Sequence, residues 1–264
     1  MHLLKILAAI ILPLLFTACK STPATDDNDT GGAIKFEERI FNMASSSCKT
    51  NPDRCAKVAL TYPVATAGDD AAVIALINDT IMKYVSNSVA IFEESADGAA
   101  PALEAAAAAF IGEYEIFLQE EPEYEIGWAI ETTGKVLYQS AQYLTIEIAN
   151  YSYAGGAHPN TYVYLLNFDP ATGALLDPME KISDVKKLMQ LAEAKFRETR
   201  ELPANADLVE EGYFWDGAFI LPQNIGITDQ GLYFFYNAYE VAAYVAGPTE
   251  FIITYEALKD IWQG

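Results

Sequence analysis

The segment Tyr151–Gly173 reads YSYAGGAHPNTYVYLLNFDPATG, and it contains the densest group of turn-forming residues in the chain. Aromatic residues alternate with smaller ones on both sides of the pair Gly155-Gly156, and strict alternation indicates β-strands with two distinct faces. Glycine adopts positive φ at little cost, and Pro159 biases His158 toward an extended conformation. The segment therefore predicts two strands joined by a tight loop, with His158 close to the loop.

The rest of the chain contains helical and strand periodicities. One helix is predicted after a cap at Asp69 or Asp70, and two more are predicted to begin at Pro101 and Ser183. A turn is predicted at Thr133-Gly134, where the period-two pattern is interrupted. The period-two segments predict strands over residues 56–62, 126–130, 136–149, 225–228, 232–236 and 251–254. Helices that are separate from runs of hairpin strands predict an α+β fold, in which about three helices pack on a mostly antiparallel sheet.

The N-terminus has the features of an export signal. Residues 1–18 contain one lysine followed by an apolar run that is too short for a stable membrane span, which is typical of a signal peptide. The four residues ending at Cys19 resemble a bacterial lipoprotein box, in which Cys19 is lipidated. The alternative is an ordinary secretory signal with a chance cysteine. If the bacterium is Gram-negative, Lys20 favours the outer membrane, facing the periplasm, by the sorting rule known for lipoproteins. The polar residues 19–34 predict a flexible tether.

Cys48 and Cys55 are the two other cysteines, and six residues separate them. Because an exported chain enters an oxidising compartment, the pair predicts a disulfide. A metal site is the competing interpretation. It would need two more ligands, which only His158 or carboxylates could supply.

The charge of the chain restricts its partners. Removal of residues 1–18 takes away one base and no acid, so the formal charge of −21 becomes −22. Such a chain lacks the basic surface that nucleic-acid binding requires. Residues 84–134 contain eleven acids and no base, and residues 201–258 contain nine acids and no base. These stretches indicate either a solvated acidic surface or a negative face that attracts a basic protein or a cation.

The sequence contains no recognisable catalytic motif. His158 is the single histidine after residue 18, and there is no G-x-S-x-G nucleophile motif. Paired carboxylates could hydrolyse a glycan, but no spacing marks a particular pair. We therefore predict a protein that is not an enzyme and that needs no metal or cofactor.

Two parts of the chain resemble a known family. The element GGAHPN, the strand that follows it, NFDPATG, the helix after Ser183 and the C-terminal segment LYFFYNAYEVAAYVAGPTEFIITYEAL resemble the RsiV-type exported domain. The earlier segment VALTYPV, with the helix that carries Ile77–Ile81, resembles the companion domain that also occurs in the deacetylase PdaC. The resemblance covers roughly residues 55–262. It divides the exported part into subdomains over residues 35–150 and 151–264.

The resemblance implies a binding function in the cell envelope. RsiV is a membrane-anchored anti-sigma factor whose exported domain binds lysozyme, and PdaC acts on cell-wall glycan through a separate catalytic domain. This sequence shows neither a sigma-binding segment nor a deacetylase domain. It is therefore expected to be a stand-alone lipoprotein that binds a protein, with a basic lysozyme-like hydrolase as the candidate ligand. The alternative is a module that binds peptidoglycan or another glycan, and a carboxylate-based hydrolase is a third hypothesis.

The candidate contact residues come from the central loop and from the tyrosine-rich C-terminal segment. His158 either holds the turn through a bond to a backbone carbonyl or lies in a binding groove with Tyr151, Tyr153, Asn160 and Tyr162. Tyrosine combines a large contact area with a polar tip, which suits protein and sugar contacts. The candidate set is Tyr151, Tyr153, Gly155, Gly156, His158, Asn160, Tyr162 and Tyr239.

Overall fold

The computed structural model describes residues 33–92, 101–215 and 217–264. Signal peptide 1–18, Cys19 and most of the tether lie outside these residues. The described residues form one compact unit. In chain order the strands and helices are β1 Lys35–Ala44, β2 Ala56–Ala67, α1 Ala71–Val89, α2 Leu103–Glu120, β3 Trp128–Gln139, β4 Leu144–Tyr153, β5 Asn160–Phe168, α3 Val185–Thr199, β6 Asn224–Ile227, β7 Gly231–Tyr236, β8 Thr249–Thr254 and α4 Tyr255–Leu258. No helix in the described part is long and apolar enough to cross a membrane.

The larger sheet has five strands in the order β1-β2-β3-β4-β5. Every neighbouring pair is antiparallel except β2 and β3, which are parallel. A three-stranded antiparallel sheet follows in the order β6-β7-β8. The predicted α+β class with a mostly antiparallel sheet is therefore confirmed.

Helices α1 and α2 cover one face of the larger sheet. The Asp70 carboxylate accepts a hydrogen bond from the Ala72 backbone N–H, as predicted for a helix cap. Ile77, Ile81 and Val85 recur at helical spacing and are fully buried. They pack on alternate residues of β2 and β4, which produces the first hydrophobic core. We call this side of the sheet the helix face and the other side the outer face.

The prediction of a turn at Thr133-Gly134 is wrong. Strand β3 continues through these residues to Gln139, and the reversal into β4 occurs at residues 140–143. A Cβ atom at Gly134 would lie 2.7 Å from Pro63 Cδ and 2.9 Å from Ile148 Cδ1. The glycine thus allows close approach of neighbouring side chains inside the sheet and does not supply a turn conformation.

The second core lies between the smaller sheet and α3. The carboxylate of Asp184 caps this helix, one residue after the predicted Ser183. Leu188, Ala192 and Phe196 are fully buried on its inner side. They pack with residues of β7 and β8 in a cluster that combines aliphatic and aromatic side chains.

Asparagine side chains join the two sheets at β5, the edge strand of the larger sheet. The Asn237 amide accepts from the Val163 N–H at 2.7 Å and donates to the Val163 carbonyl at 3.1 Å. Asn224 accepts from the Leu165 N–H at 3.3 Å. Asn167 reaches in the opposite direction and bonds to the backbone of β6. The boundary predicted between residues 150 and 151 lies inside β4, and the larger sheet extends to Phe168.

Cys48 and Cys55 are joined by a disulfide, as predicted, with their Cα atoms 5.0 Å apart. Both sulfur atoms are therefore committed to each other and not to a metal. Closing so short a loop stabilises a fold by about 2–3 kcal/mol in the chain-entropy model. A Cβ atom at Gly127 would lie 2.5 Å from the Cys55 carbonyl oxygen, so the loop packs directly against the chain that leads into β3.

Candidate functional site

His158 connects the loop between β4 and β5 with the loop that follows β7. Its Nε2 atom lies 3.0 Å from the Tyr239 hydroxyl. Its ring stacks on Tyr244, with centroids 3.8 Å apart and an interplanar angle of 13°. We call His158, Tyr239 and Tyr244 the His158 junction. The contact joins residues that are 81 positions apart in the sequence.

The hydrogen bonds of His158 define its neutral tautomer. Its Nδ1 atom lies 2.9 Å from the Pro159 carbonyl oxygen, which can only accept. Nδ1 therefore carries the proton, and Nε2 accepts from the Tyr239 hydroxyl. The ring makes the backbone contact expected of a turn histidine and also belongs to an aromatic cluster.

A carboxylate fixes the conformation of the loop that carries Tyr239. Tyr239 has a φ of 68°, a region that non-glycine residues rarely adopt. The Glu240 carboxylate accepts from the Gln223 N–H at 3.0 Å and from the Asn237 N–H at 2.8 Å. These bonds hold the backbone beside Tyr239, and the Tyr239 side chain remains half exposed.

Arg200, at the end of α3, holds the other end of this loop. Its guanidinium donates to the carbonyl oxygens of Ala246, Gly247 and Pro248 at 2.8–3.1 Å. Between this clamp and the His158 junction lies Val245, whose side chain is 94% exposed. The loop therefore presents an exposed apolar residue on a backbone that is held from both sides.

A cleft of about 490 Å³ adjoins the junction on the helix face. Four tyrosines contribute to its lining, and we call it the tyrosine cleft: Tyr84, Tyr162, Tyr164 and Tyr239. Tyr84 and Tyr164 meet edge to face, with ring centroids 5.0 Å apart. Burial raises the pKa of Tyr164, so its hydroxyl keeps its proton and can donate a hydrogen bond into the cleft.

The structure does not bring all the candidate residues into one groove. Tyr162 pairs with Asn150 in the sheet register, and the Asn150 amide lies under α1, so Tyr162 is on the helix face with Tyr239. Tyr151 pairs with Thr161 and lies on the outer face, because side chains of successive strand residues alternate. The groove hypothesis that combined Tyr151 with Tyr162 is therefore incorrect in this respect.

The remaining candidates shape the loop between β4 and β5. Gly155 and Gly156 have φ values of 85° and 94°, which explains the glycine pair. The Tyr153 hydroxyl donates to the Gly156 carbonyl at 3.1 Å and braces the turn. Asn160 is the first residue of β5 and lies opposite Ser152.

Sequence reasoning missed Tyr244, Glu240 and Arg200. Tyr244 is the partner on which His158 stacks, and the other two residues hold the loop. The two tyrosines of the segment YEVAAY, residues 239–244, were a usable signal for the first. Nothing in local periodicity marks the other two, because Arg200 bonds to backbone atoms distant in the sequence and Glu240 bonds to the N–H groups of Asn237 and Gln223 in irregular loops.

The junction and the cleft offer ring faces for stacking and hydroxyl and imidazole groups for hydrogen bonding. Within residues 33–92, 101–215 and 217–264, no three His, Cys, Asp or Glu side chains are grouped so that they could hold a metal ion.

Comparisons with known proteins match two successive segments of the chain, and the division between them lies near the boundary predicted between residues 150 and 151. Residues 49–161 match the family model described as deacetylase PdaC. Residues 175–256 match the model described as a protein of unknown function, DUF3298. The element GGAHPN, which we assigned to the C-terminal subdomain, falls within the first match. No curated protein matches the chain.

Two crystal structures of DUF3298 family proteins are similar to this fold. The chain aligns with a protein from Bacteroides fragilis at a TM-score of 0.68 and 16% identity, over 89% of this chain and 95% of that one. A protein from Pseudomonas aeruginosa aligns at a TM-score of 0.60 and 16% identity, over 87% of this chain and 94% of that one. At this identity the likeness establishes the fold alone. The chain therefore contains a segment similar to the PdaC model followed by a segment similar to the DUF3298 model.

Proposed function

We propose that this chain is a non-catalytic binding protein of the bacterial cell envelope, and that its ligand is a basic, lysozyme-like cell-wall hydrolase. The observation that carries the proposal is the loop over residues 237–248. It displays Tyr239 and Val245 to solvent on a backbone fixed by Glu240 and Arg200. Rigid aromatic and apolar side chains are the usual anchors of protein interfaces, because little conformational entropy is lost when they bind.

Charge supports a basic partner. The C-terminal stretch that contains this loop carries nine acids and no base over residues 201–258. A negative field around an apolar anchor accelerates encounter with a positively charged protein and disfavours acidic competitors.

Several sequence features support an envelope location. The signal peptide and Cys19 suggest a lipid anchor, with the outer membrane facing the periplasm as the destination. The Cys48–Cys55 disulfide suits an oxidising compartment. On this proposal the tether of residues 19–34 separates the lipid from the folded unit.

The binding proposal is tested by calorimetry of residues 34–264 against a basic lysozyme, at low and at physiological salt. We expect saturable binding that weakens as salt rises, because salt screens the attraction between exposed charges. Tyr239→Ala and His158→Ala should each cost about 2 kcal/mol, roughly thirtyfold in Kd, since they remove an anchor or its support.

Tyr151→Ala is the matched control. It removes a tyrosine that is also exposed, but on the outer face of the sheet. The affinity of the Tyr151→Ala variant should stay within about a factor of two of the affinity of the parent chain, as is usual for substitutions far from an interface. The proposal fails if no heat is released at either salt, or if Tyr151→Ala weakens binding as much as Tyr239→Ala.

The tyrosine cleft favours a second candidate function, the binding of peptidoglycan or a related glycan. Its volume of about 490 Å³ is within the range of small-ligand sites. Tyr84, Tyr162 and Tyr164 offer ring faces for stacking and hydroxyls for polar contacts with sugars.

The glycan hypothesis predicts that residues 34–264 co-sediment with purified sacculi. Tyr162→Ala should reduce the bound fraction severalfold, whereas Tyr151→Ala should not change it, because stacking on exposed tyrosine would occur at the cleft. Absence of co-sedimentation would eliminate this function and leave the protein-binding proposal untouched.

A further inference from the structure

A separate groove opens on the helix face at the opposite edge of the larger sheet. It has a volume of about 930 Å³ and lies between β1, β2, α1 and the first turn of α2. All four elements supply apolar lining, and we call it the β1–α1 groove: Phe41, Tyr62, Ile81, Met82 and Leu103. The volume lies within the range of sites that hold small molecules. Methionine is unbranched and adaptable, so Met82 can fit ligands of variable shape.

Two bases lie at the rim of this groove. Arg39 and Lys83 both line it, and neither is within 4.0 Å of a carboxylate in the described part of the chain. The sequence has no other base between Lys83 and Lys135. Within the described residues, both cations are therefore available to an anionic ligand.

The first turn of α2 adds partial positive charge to the same place. Ala102 occupies its cap position and makes no side-chain hydrogen bond, so the first backbone N–H groups lack that partner. Ala102 and Leu103 both line the groove. The positive end of the helix dipole thus reinforces Arg39 and Lys83.

We propose that the β1–α1 groove binds a long-chain fatty acid, with the alkyl chain on the apolar lining and the carboxylate at the rim beside Arg39 and Lys83. Asp79 and Glu104 also line the groove, so a doubly charged phosphate head would meet about twice the repulsion that a single carboxylate meets. The site does not involve the loop over residues 237–248, and it goes beyond the proposed function.

Calorimetry of residues 34–264 with laurate, below its micelle-forming concentration, tests the assignment. We expect saturable binding of laurate and none of acetate, which lacks the chain. Met82→Trp should fill the groove and weaken laurate binding at least tenfold. Arg39→Gln should weaken it about tenfold or more, because a hydrogen bond to a charged group is removed.

Two matched variants control for fold and charge. Ile116→Trp places the same large ring on an exposed position of α2 that does not line the groove. Lys186→Gln removes one exposed positive charge from α3, which contributes no residue to the groove. Both should bind laurate as the parent chain does. The proposal is overturned if laurate does not bind, if Met82→Trp and Ile116→Trp behave alike, or if dodecyl phosphate binds more tightly than laurate.

Discussion

Asn167→Ala is expected to lower the free energy of unfolding by about 3–5 kcal/mol, because several buried polar groups lose their partners together. Asn167 is 4% exposed. Its side chain accepts from the Ile227 N–H at 2.8 Å and from the Thr145 hydroxyl at 3.0 Å, and it donates to the Ile225 carbonyl at 2.8 Å. Alanine satisfies none of these groups, and the space is too enclosed for solvent to replace the amide.

Urea unfolding monitored by tryptophan fluorescence measures this loss. Asn42→Ala is the control, since Asn42 lies on β1 with an exposed side chain. It should change stability by no more than about 0.5 kcal/mol, as surface substitutions usually do. If Asn167→Ala were no more destabilised than Asn42→Ala, the asparagine contacts would not be what joins the two sheets.

Phe196→Ala should destabilise the chain by about 3–5 kcal/mol through the cavity that it leaves in the second core. The ring of Phe196 is fully buried. Its neighbours are four aromatic rings whose centroids lie 5.0–6.0 Å away: Tyr213, Phe214, Phe219 and Tyr236. Edge-to-face contacts add to the area that is buried, so few rearrangements can replace them.

Phe196→Ala should also weaken binding of the proposed protein ligand by the loop over residues 237–248. Arg200 follows Phe196 by one helical turn, and the Arg200 N–H bonds to the Phe196 carbonyl at 3.0 Å. Loss of the ring would release the end of α3 that carries the clamp. Val185→Ala, at an exposed position of the same helix, is the control for unfolding and for binding. An equal response of both variants would contradict this account.

Local patterns predicted the helices and most strands well. The single strand predicted over residues 136–149 is wrong, because the chain reverses at residues 140–143 between β3 and β4. The Asp70 cap and the spacing of Ile77, Ile81 and Val85 were sufficient for α1, because capping and amphipathic burial are local properties of a helix. Strand β1 was missed. Its residues are mostly exposed and include several charges, so it lacks the buried alternation by which strands are recognised.

The candidate site was predictable only in part. The glycine pair and His158 marked a tight loop, and Tyr239 entered the candidate set with the tyrosine-rich C-terminal segment. Which tyrosines share a face depends on the pairing of Tyr162 with Asn150, and a shift of one residue would reverse it. The hold of Arg200 on backbone carbonyls depends on tertiary packing, which residue types alone do not encode.

The parallel pairing of β2 with β3, which we call the parallel seam, has a consequence for the order of folding. Residues 56–61 pair there with residues 128–133, and the chain between them contains both α1 and α2. Strands β1 and β2, and likewise β3, β4 and β5, can associate from neighbouring segments, whereas the seam must close a long loop before its contacts form. During synthesis the seam cannot be completed until residue 133 has emerged. Until then, the hairpin of β1 and β2 lacks the neighbouring strand β3 along one edge of β2.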